Sequence, residues 1–125
     1  DFLLSCEVTR NMLLGHIRTY ESFKKASYTQ KHQVGAIIAV LEARPFNRWF
    51  IMDWIAAYHE ERFWMGAMLE FFQSGRYNIS LPFKGSYSFN DTDGVRAMDF
   101  FGINYYTRTA AIFNPFKTPM FSRLQ

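Results

Sequence analysis

Two hydrogen-bonding side chains, Asn104 and Tyr106, stand two residues apart near the end of an apolar run in this 125-residue chain. Side chains of a β-strand alternate between its two faces, so Asn104 and Tyr106 share one face while Ile103 and Tyr105 share the other. Ligands commonly bind at the carboxyl ends of the strands in a parallel sheet. We therefore expect the amide and the phenol to line a polar pocket, and Tyr105 to pack against covering helices.

A charged cluster formed by Glu42, Arg44 and Arg48 follows a second apolar run. An ion pair with Arg44 or Arg48 is sufficient to explain Glu42, because oppositely charged side chains often pair at a protein surface. A role for Glu42 in binding substrate is the alternative.

The histidines give weaker signals. His59 precedes two glutamates, but the residue four positions after it is Phe63, so the second histidine of an H-E-x-x-H zinc motif is absent. His16 lies in the apolar stripe of a predicted helix, where a hydrogen-bonded core histidine is expected. We predict no metal site and no cofactor.

Hydrophobic periodicity predicts the elements that position these residues. An apolar stripe with helical spacing predicts a helix over residues 5–26, and its positions are Met12, Leu13, His16, Ile17, Tyr20 and Phe23. Residues 34–41 form an unbroken apolar run, which is typical of a strand buried on both faces in a parallel sheet. Helical spacing returns over residues 50–74, and Gly75 is placed to cap that helix in the left-handed conformation.

The remaining segments predict connections. Residues 27–33 are polar, residues 76–95 are predicted to form a long irregular connection, and residues 107–125 are predicted to be loop. The predicted order is helix, strand, helix, strand, with two parallel strands joined by a right-handed helical crossover. This is an α/β arrangement with one βαβ unit.

Residues 99–107 read D-F-F-G-I-N-Y-Y-T and resemble the sixth-strand motif D-F-[IF]-G-[IL]-N-Y-Y-[TS] of glycoside hydrolase family 1, the β-glucosidase family. Three other segments resemble that family in the same order. Residues 11–18 are similar to its N-x-L-x-A-H-A helix, residues 34–38 to its fifth strand, and residues 71–77 to the F-x-x-G-x-[YF] after the next helix.

The resemblance implies a (β/α)8 TIM barrel, which requires about 200 residues or more. Residues 1–125 are therefore expected to be a fragment of a single barrel catalytic domain, from its fourth helix to its sixth strand. The T-x-N-E-P and T-E-N-G motifs that carry the family's two catalytic carboxylates do not occur in the sequence. The remainder of the barrel would be needed for activity.

The same resemblance implies a retaining β-glycosidase that forms a covalent glycosyl-enzyme with a β-glycoside substrate. In that scheme the Tyr106 hydroxyl supports catalysis by orienting the absent nucleophile, and Asn104 contributes to substrate binding. The sequence departs from the family at Ala39-Val40 and Arg44-Pro45, where many members carry asparagine and Glu-Pro. A non-catalytic or truncated half-barrel that acts as an interaction module is the alternative.

Composition narrows the possible partners. Hydrophobic residues make up 49% of the chain, which is enough for a packed core, but no apolar run reaches the ~20 residues of a membrane span. The net charge is +3, with basic residues scattered among acids, so we predict neither nucleic-acid nor membrane binding. The one cysteine, Cys6, is expected in the core and weakly favours the cytoplasm.

Overall fold

The structure, a computed structural model, describes residues 1–26, 32–82, 84–116 and the backbone of 121–124, and it divides into two compact units. Unit 1 comprises Asp1–Ile38 and Met68–Gly102, and unit 2 comprises Ala39–Ala67 and Ile103–Gln125. The predicted connection over residues 27–33 lies largely outside the described residues.

The elements follow one another as helices α1 to α3 and strands β1 to β5, with two short helical segments between them. Their bounds are α1 Phe2–Ala26, β1 Gly35–Pro45, α2 Ile51–Glu61, a π-helical segment Arg62–Gly66, α3 Ala67–Ser74, β2 Arg76–Leu81, β3 Gly85–Asn90, a 3-10 helix Thr92–Arg96, β4 Phe100–Phe113 and β5 Phe121–Leu124. The predicted order of helix, strand, helix, strand is present, with a hairpin inserted before the last of these strands.

Strands β1, β4 and β5 form one sheet in the order β1-β4-β5. Strands β1 and β4 are parallel, since the Val34 carbonyl accepts from the Asp99 N–H at 2.7 Å and the Phe46 N–H donates to the Ala111 carbonyl at 3.0 Å. Strand β5 pairs antiparallel with the end of β4, Phe113 opposite Phe121. The prediction of an α/β fold with a parallel strand pair is confirmed.

The prediction of an irregular connection over residues 76–95 is wrong. Strands β2 and β3 form an antiparallel hairpin there, with Tyr77 opposite Phe89 and Ile79 opposite Tyr87. Tyr77, Ile79 and Leu81 are buried while the residues between them are exposed, which is the period-two pattern of a strand with one covered face. The rings of Tyr77 and Phe89 stack with their centroids 5.1 Å apart.

The prediction of loop after residue 107 is also wrong, because β4 continues to Phe113. Thr109 and Ala111 alternate with more exposed neighbours and are buried, which makes this extension a strand with one covered face. The single helix predicted over residues 50–74 is interrupted by the π-helical segment, where the Ala67 N–H bonds the Arg62 carbonyl five residues earlier.

The core of unit 1 lies between α1, α3 and the hairpin. Its fully buried side chains include Cys6, Phe71, Tyr77 and Ile79, and the core position predicted for Cys6 is confirmed. Met12 was predicted on the buried side of α1 but is 70% exposed, because the apolar stripe of α1 is wider than the surface that packs on it. Phe23 is exposed for the same reason.

Unit 2 buries one face of α2 through two alanines and two acids. Ala56 and Ala57 are small enough to allow close packing, and Asp53 and Glu60 are buried beside them. The Asp53 carboxylate accepts the backbone N–H of Asn47 at 3.0 Å and that of Phe113 at 2.9 Å. Asp53 therefore connects the loop after β1 to the end of β4 within unit 2.

Candidate functional site on strands β1 and β4

Asn104 and Tyr106 lie on the same face of β4, as strand alternation predicts. The Asn104 Nδ2 donates a hydrogen bond to the Tyr106 hydroxyl oxygen at 2.8 Å. Tyr106 is 65% exposed, so its phenol is accessible to a ligand or to another protein group. Because the phenol oxygen accepts from Asn104, the Tyr106 proton can be donated to a second acceptor.

Tyr105 differs from the prediction that placed it against covering helices. It is 52% exposed, and its hydroxyl donates to Glu42 Oε2 at 3.3 Å while accepting from Arg108 Nε at 3.2 Å. Its ring is on the opposite face of β4 from Asn104, but that face is open at this position. Tyr105 connects β4 to β1 through polar contacts instead of core packing.

Glu42 is the centre of an ion-pair cluster in unit 2. Arg44 Nη2 lies 2.6 Å from Glu42 Oε1, and Arg108 Nε lies 2.7 Å from Glu42 Oε2. The hydrogen bond from Arg44 and then the charge of Arg108 hold the pKa of Glu42 below its usual range, although partial burial acts in the opposite direction. Of the two partners predicted for Glu42, Arg44 and Arg48, the structure shows the ion pair with Arg44.

Arg108 was missed by sequence reasoning because residues after 107 were expected to be loop. Once β4 is continued past 107, the parallel pairing brings its second half beside the second half of β1. The available signal was the run Thr109–Phe113, which has no glycine or proline and contains β-branched and aromatic residues that favour a strand.

A second polar cluster holds the start of β4 in unit 1, and sequence reasoning also missed it. The Asp99 carboxylate accepts from the Val34 N–H at 2.8 Å and from the Tyr20 hydroxyl at 3.1 Å, and it pairs with Lys24 at 2.5 Å. These contacts hold the pKa of Asp99 below its usual range, and the hydrogen bond from Lys24 has the largest effect. Burial and the bond to Asp99 raise the pKa of Tyr20.

His16 has the structural role that was predicted for it. Its Nε2 lies 2.6 Å from the Ala97 carbonyl oxygen, and its ring meets Phe72 edge-on at 5.6 Å. Since a carbonyl only accepts, Nε2 carries the proton in this contact. His16 thus joins α1 to the segment before β4.

Neither a metal-binding cluster nor a membrane-spanning helix is present in the part of the chain that the structure describes. Within residues 1–26, 32–82 and 84–116 no three His, Cys, Asp or Glu side chains are arranged to hold a metal ion. Among the helices in those ranges, none is long and apolar enough to cross a membrane.

Comparison with known proteins identifies the fold. The structure is similar to the rice β-glucosidase Os3BGlu6, with a TM-score of 0.67 and 23% sequence identity over 88% of this chain and 24% of the rice chain. A variant of the rice enzyme in a covalent complex with Glc gives the same values. The β-glucosidase from Trichoderma harzianum has a TM-score of 0.71 and 18% identity over 91% of this chain and 27% of its own.

No family model matches the sequence, and no curated protein matches it. The chain spans about a quarter of the length of the solved structures that it resembles. The resemblance predicted from the four sequence segments is confirmed at the level of the fold, since the neighbours are β-glucosidases and the chain folds as part of their α/β barrel.

Proposed function

We propose that this chain is part of a retaining β-glycosidase of glycoside hydrolase family 1, and that it supplies supporting groups while both catalytic carboxylates lie outside it. The observation that carries the proposal is the hydrogen-bonded Asn104–Tyr106 pair on a parallel strand, in the N-Y-Y context of that family. The similarity of the fold to β-glucosidases, one of them with covalently bound Glc, supports it.

In the proposed mechanism, Tyr106 donates its hydroxyl proton to the nucleophilic carboxylate. A hydrogen bond to the ionised form fixes the rotamer of the carboxylate and favours its charged state, which is the state that attacks the anomeric carbon. Asn104 orients the phenol through its Nδ2 and offers its carbonyl oxygen to a sugar hydroxyl. Tyr106 is thus a positioning residue and Asn104 a substrate-binding residue.

A non-catalytic half-barrel that acts as an interaction module is the second candidate. Ala39 and Val40 in the middle of β1, and Arg44 before Pro45, stand where the family resemblance leads us to expect polar or acidic groups. A site without those groups has fewer contacts for a sugar. These departures favour a protein that retains the fold without the reaction.

Hydrolysis of an aryl β-glucoside tests the proposal. The purified 125-residue chain should be inactive, because it lacks the two family motifs that carry the acid/base and the nucleophilic carboxylate. The same chain within its complete reading frame should hydrolyse the substrate, with T-x-N-E-P before residue 1 and T-E-N-G after residue 125. An inactive complete protein without those motifs would select the second candidate. If the isolated chain is active and a substitution within it abolishes that activity, the proposal that both catalytic carboxylates lie outside the chain is refuted.

A further inference from the structure

A cavity of about 850 Å³ lies in unit 2 between the end of β1 and one side of α2. Its size is within the range of small-molecule sites, which are usually about 300–1,000 Å³. Asn104 and Tyr106 do not line it. Its lining includes Glu42, Arg44, Arg48, Trp54, Tyr58 and Glu61.

Two aromatic side chains on one turn of α2 supply the apolar wall of this cavity. Trp54 is 53% exposed and Tyr58 is 63% exposed, and their spacing of four residues puts them on the same side of the helix. The Trp54 indole N–H donates to the Arg48 carbonyl at 3.0 Å, which fixes the orientation of the indole. Exposed aromatic faces of this kind stack on flat ring compounds.

The carboxylates that line the cavity already accept hydrogen bonds from neighbouring groups, whereas some of the arginine N–H groups are not engaged. Glu42 is engaged by Arg44, Arg108 and the Tyr105 hydroxyl, and Glu61 Oε1 accepts the Ala43 N–H at 3.2 Å. None of the described side chains forms an ion pair or a hydrogen bond with the Arg48 guanidinium. A planar guanidinium without a partner is suited to bind a carboxylate or phosphate through two parallel hydrogen bonds.

We propose that this cavity binds a small anionic ring compound, with its carboxylate or phosphate group on Arg48 and its ring against Trp54 and Tyr58. Arg44 is held by Glu42 at 2.6 Å and has further N–H groups to offer to the same anion. The site is independent of the proposed glycosidase reaction, since it uses neither Asn104 nor Tyr106.

Titration of the isotopically labelled 125-residue chain, observed through the Trp54 indole N–H signal in two-dimensional NMR, tests this site. The signal is assigned by its loss in Trp54→Phe. Benzoate and phenyl phosphate should both shift it saturably, and the tighter of the two identifies the preferred anionic group. Benzyl alcohol, a ring without charge, and inorganic phosphate, an anion without a ring, should bind at least tenfold more weakly.

Variants separate the contribution of the Arg48 guanidinium from that of the aromatic side chains. Arg48→Gln should weaken the binding of benzoate and phenyl phosphate at least tenfold, and Tyr58→Leu should weaken it severalfold. Arg76→Gln is the matched control, because Arg76 is an exposed arginine of unit 1, and it should leave binding unchanged. Absence of a saturable shift with either anion, equal binding in Arg48→Gln, or equally tight binding of benzyl alcohol would overturn the proposal.

Discussion

Tyr106 has one proton to donate, and the structure restricts where that proton can point. The phenol oxygen accepts from Asn104 Nδ2 at 2.8 Å, so an O–H directed at Asn104 would meet another donor. The proton is therefore directed toward an acceptor other than the Asn104 amide group. A carboxylate of the surrounding barrel is the acceptor that the proposed function assigns to it.

Replacing Tyr106 with phenylalanine in the complete protein should lower kcat about ten- to a hundredfold, with little change in thermal stability. A hydrogen bond to a charged group contributes about 1.5–3 kcal/mol, and the ring that fills the position is retained. Steady-state kinetics with an aryl β-glucoside and thermal melts of the same variant measure the two effects.

Tyr105→Phe is the matched control for this experiment. Its hydroxyl contacts Glu42 and Arg108 on the other face of β4, so its loss should change kcat much less. Equal losses of kcat for the two variants, or a larger loss for Tyr105→Phe, would contradict the roles assigned to this strand.

Individual residues of the site differ in how well the sequence predicts them. The shared face of Asn104 and Tyr106 follows from the period of a strand, which holds wherever a strand forms. The surroundings of Tyr105 depend on Arg108 and Glu42, which belong to the extension of β4 and to the neighbouring strand. Local alternation carries no information about a partner on another strand.

Among the elements, the loop after β1 and the end of β4 depend on Asp53. Its buried carboxylate accepts two backbone N–H groups, those of Asn47 and Phe113. Asp53→Ala should lower the free energy of unfolding by about 2–4 kcal/mol, because two part-buried backbone donors lose a charged, buried acceptor. Asp53→Asn retains one amide oxygen and should lose less. Urea unfolding of the two variants gives the comparison, and equal losses would show that the hydrogen bonds are not the cause.

Two glycines should respond to alanine in opposite ways. Gly75, which ends α3, has φ +72°, and a Cβ added there would lie 2.6 Å from the Asp91 carbonyl oxygen. Gly75→Ala should therefore cost at least about 2 kcal/mol. Gly15 is in α1 with nothing within 4 Å of an added Cβ, so Gly15→Ala should stabilise by about 0.5–1 kcal/mol. Thermal melts of both variants test the pair, and a shared sign would contradict it.

The long elements were predictable and the short irregular ones were not. The first part of strand β1, residues 35–41, is a continuous apolar run, and Gly75 was correctly placed at the end of the helical region. The β2–β3 hairpin has a period-two pattern only six residues long on each side, which is easily taken for a loop. The π-helical segment has no distinctive composition, because it depends on how the backbone accommodates its neighbours.

For the whole molecule, acid stability should depend on Asp99. Its folded-state pKa lies below the ordinary value because of Lys24, Val34 and Tyr20, so the unfolded chain binds this proton more readily. The stabilisation is complete above the unfolded pKa of about 3.9 and is lost as pH falls through that value toward the folded pKa. Melting temperatures measured from pH 6 down to pH 3 should fall across the lower part of this range.

Asp99→Asn removes this titration, so the melting temperature of the variant should fall less between pH 6 and pH 3. The same substitution should lower the stability at pH 6. Asp93→Asn changes an exposed acid in the 3-10 helix and should leave the acid loss as it is in the unmodified chain. If the melting temperature of Asp99→Asn falls as steeply with pH as that of the unmodified chain, the acid sensitivity comes from other carboxylates.

The single cysteine allows the opening of the core of unit 1 to be measured by thiol labelling. Cys6 is fully buried in the core of unit 1, and burial raises the pKa of its thiol. A thiol-specific reagent can therefore label the native chain only when that core opens and the thiol ionises. Since no second thiol competes for the reagent, the labelling rate reports the exposure of one identified position without any substitution. Comparing this rate in the isolated chain and in a complete protein in which Cys6 is the one cysteine retained would show how strongly the rest of the barrel holds unit 1 closed.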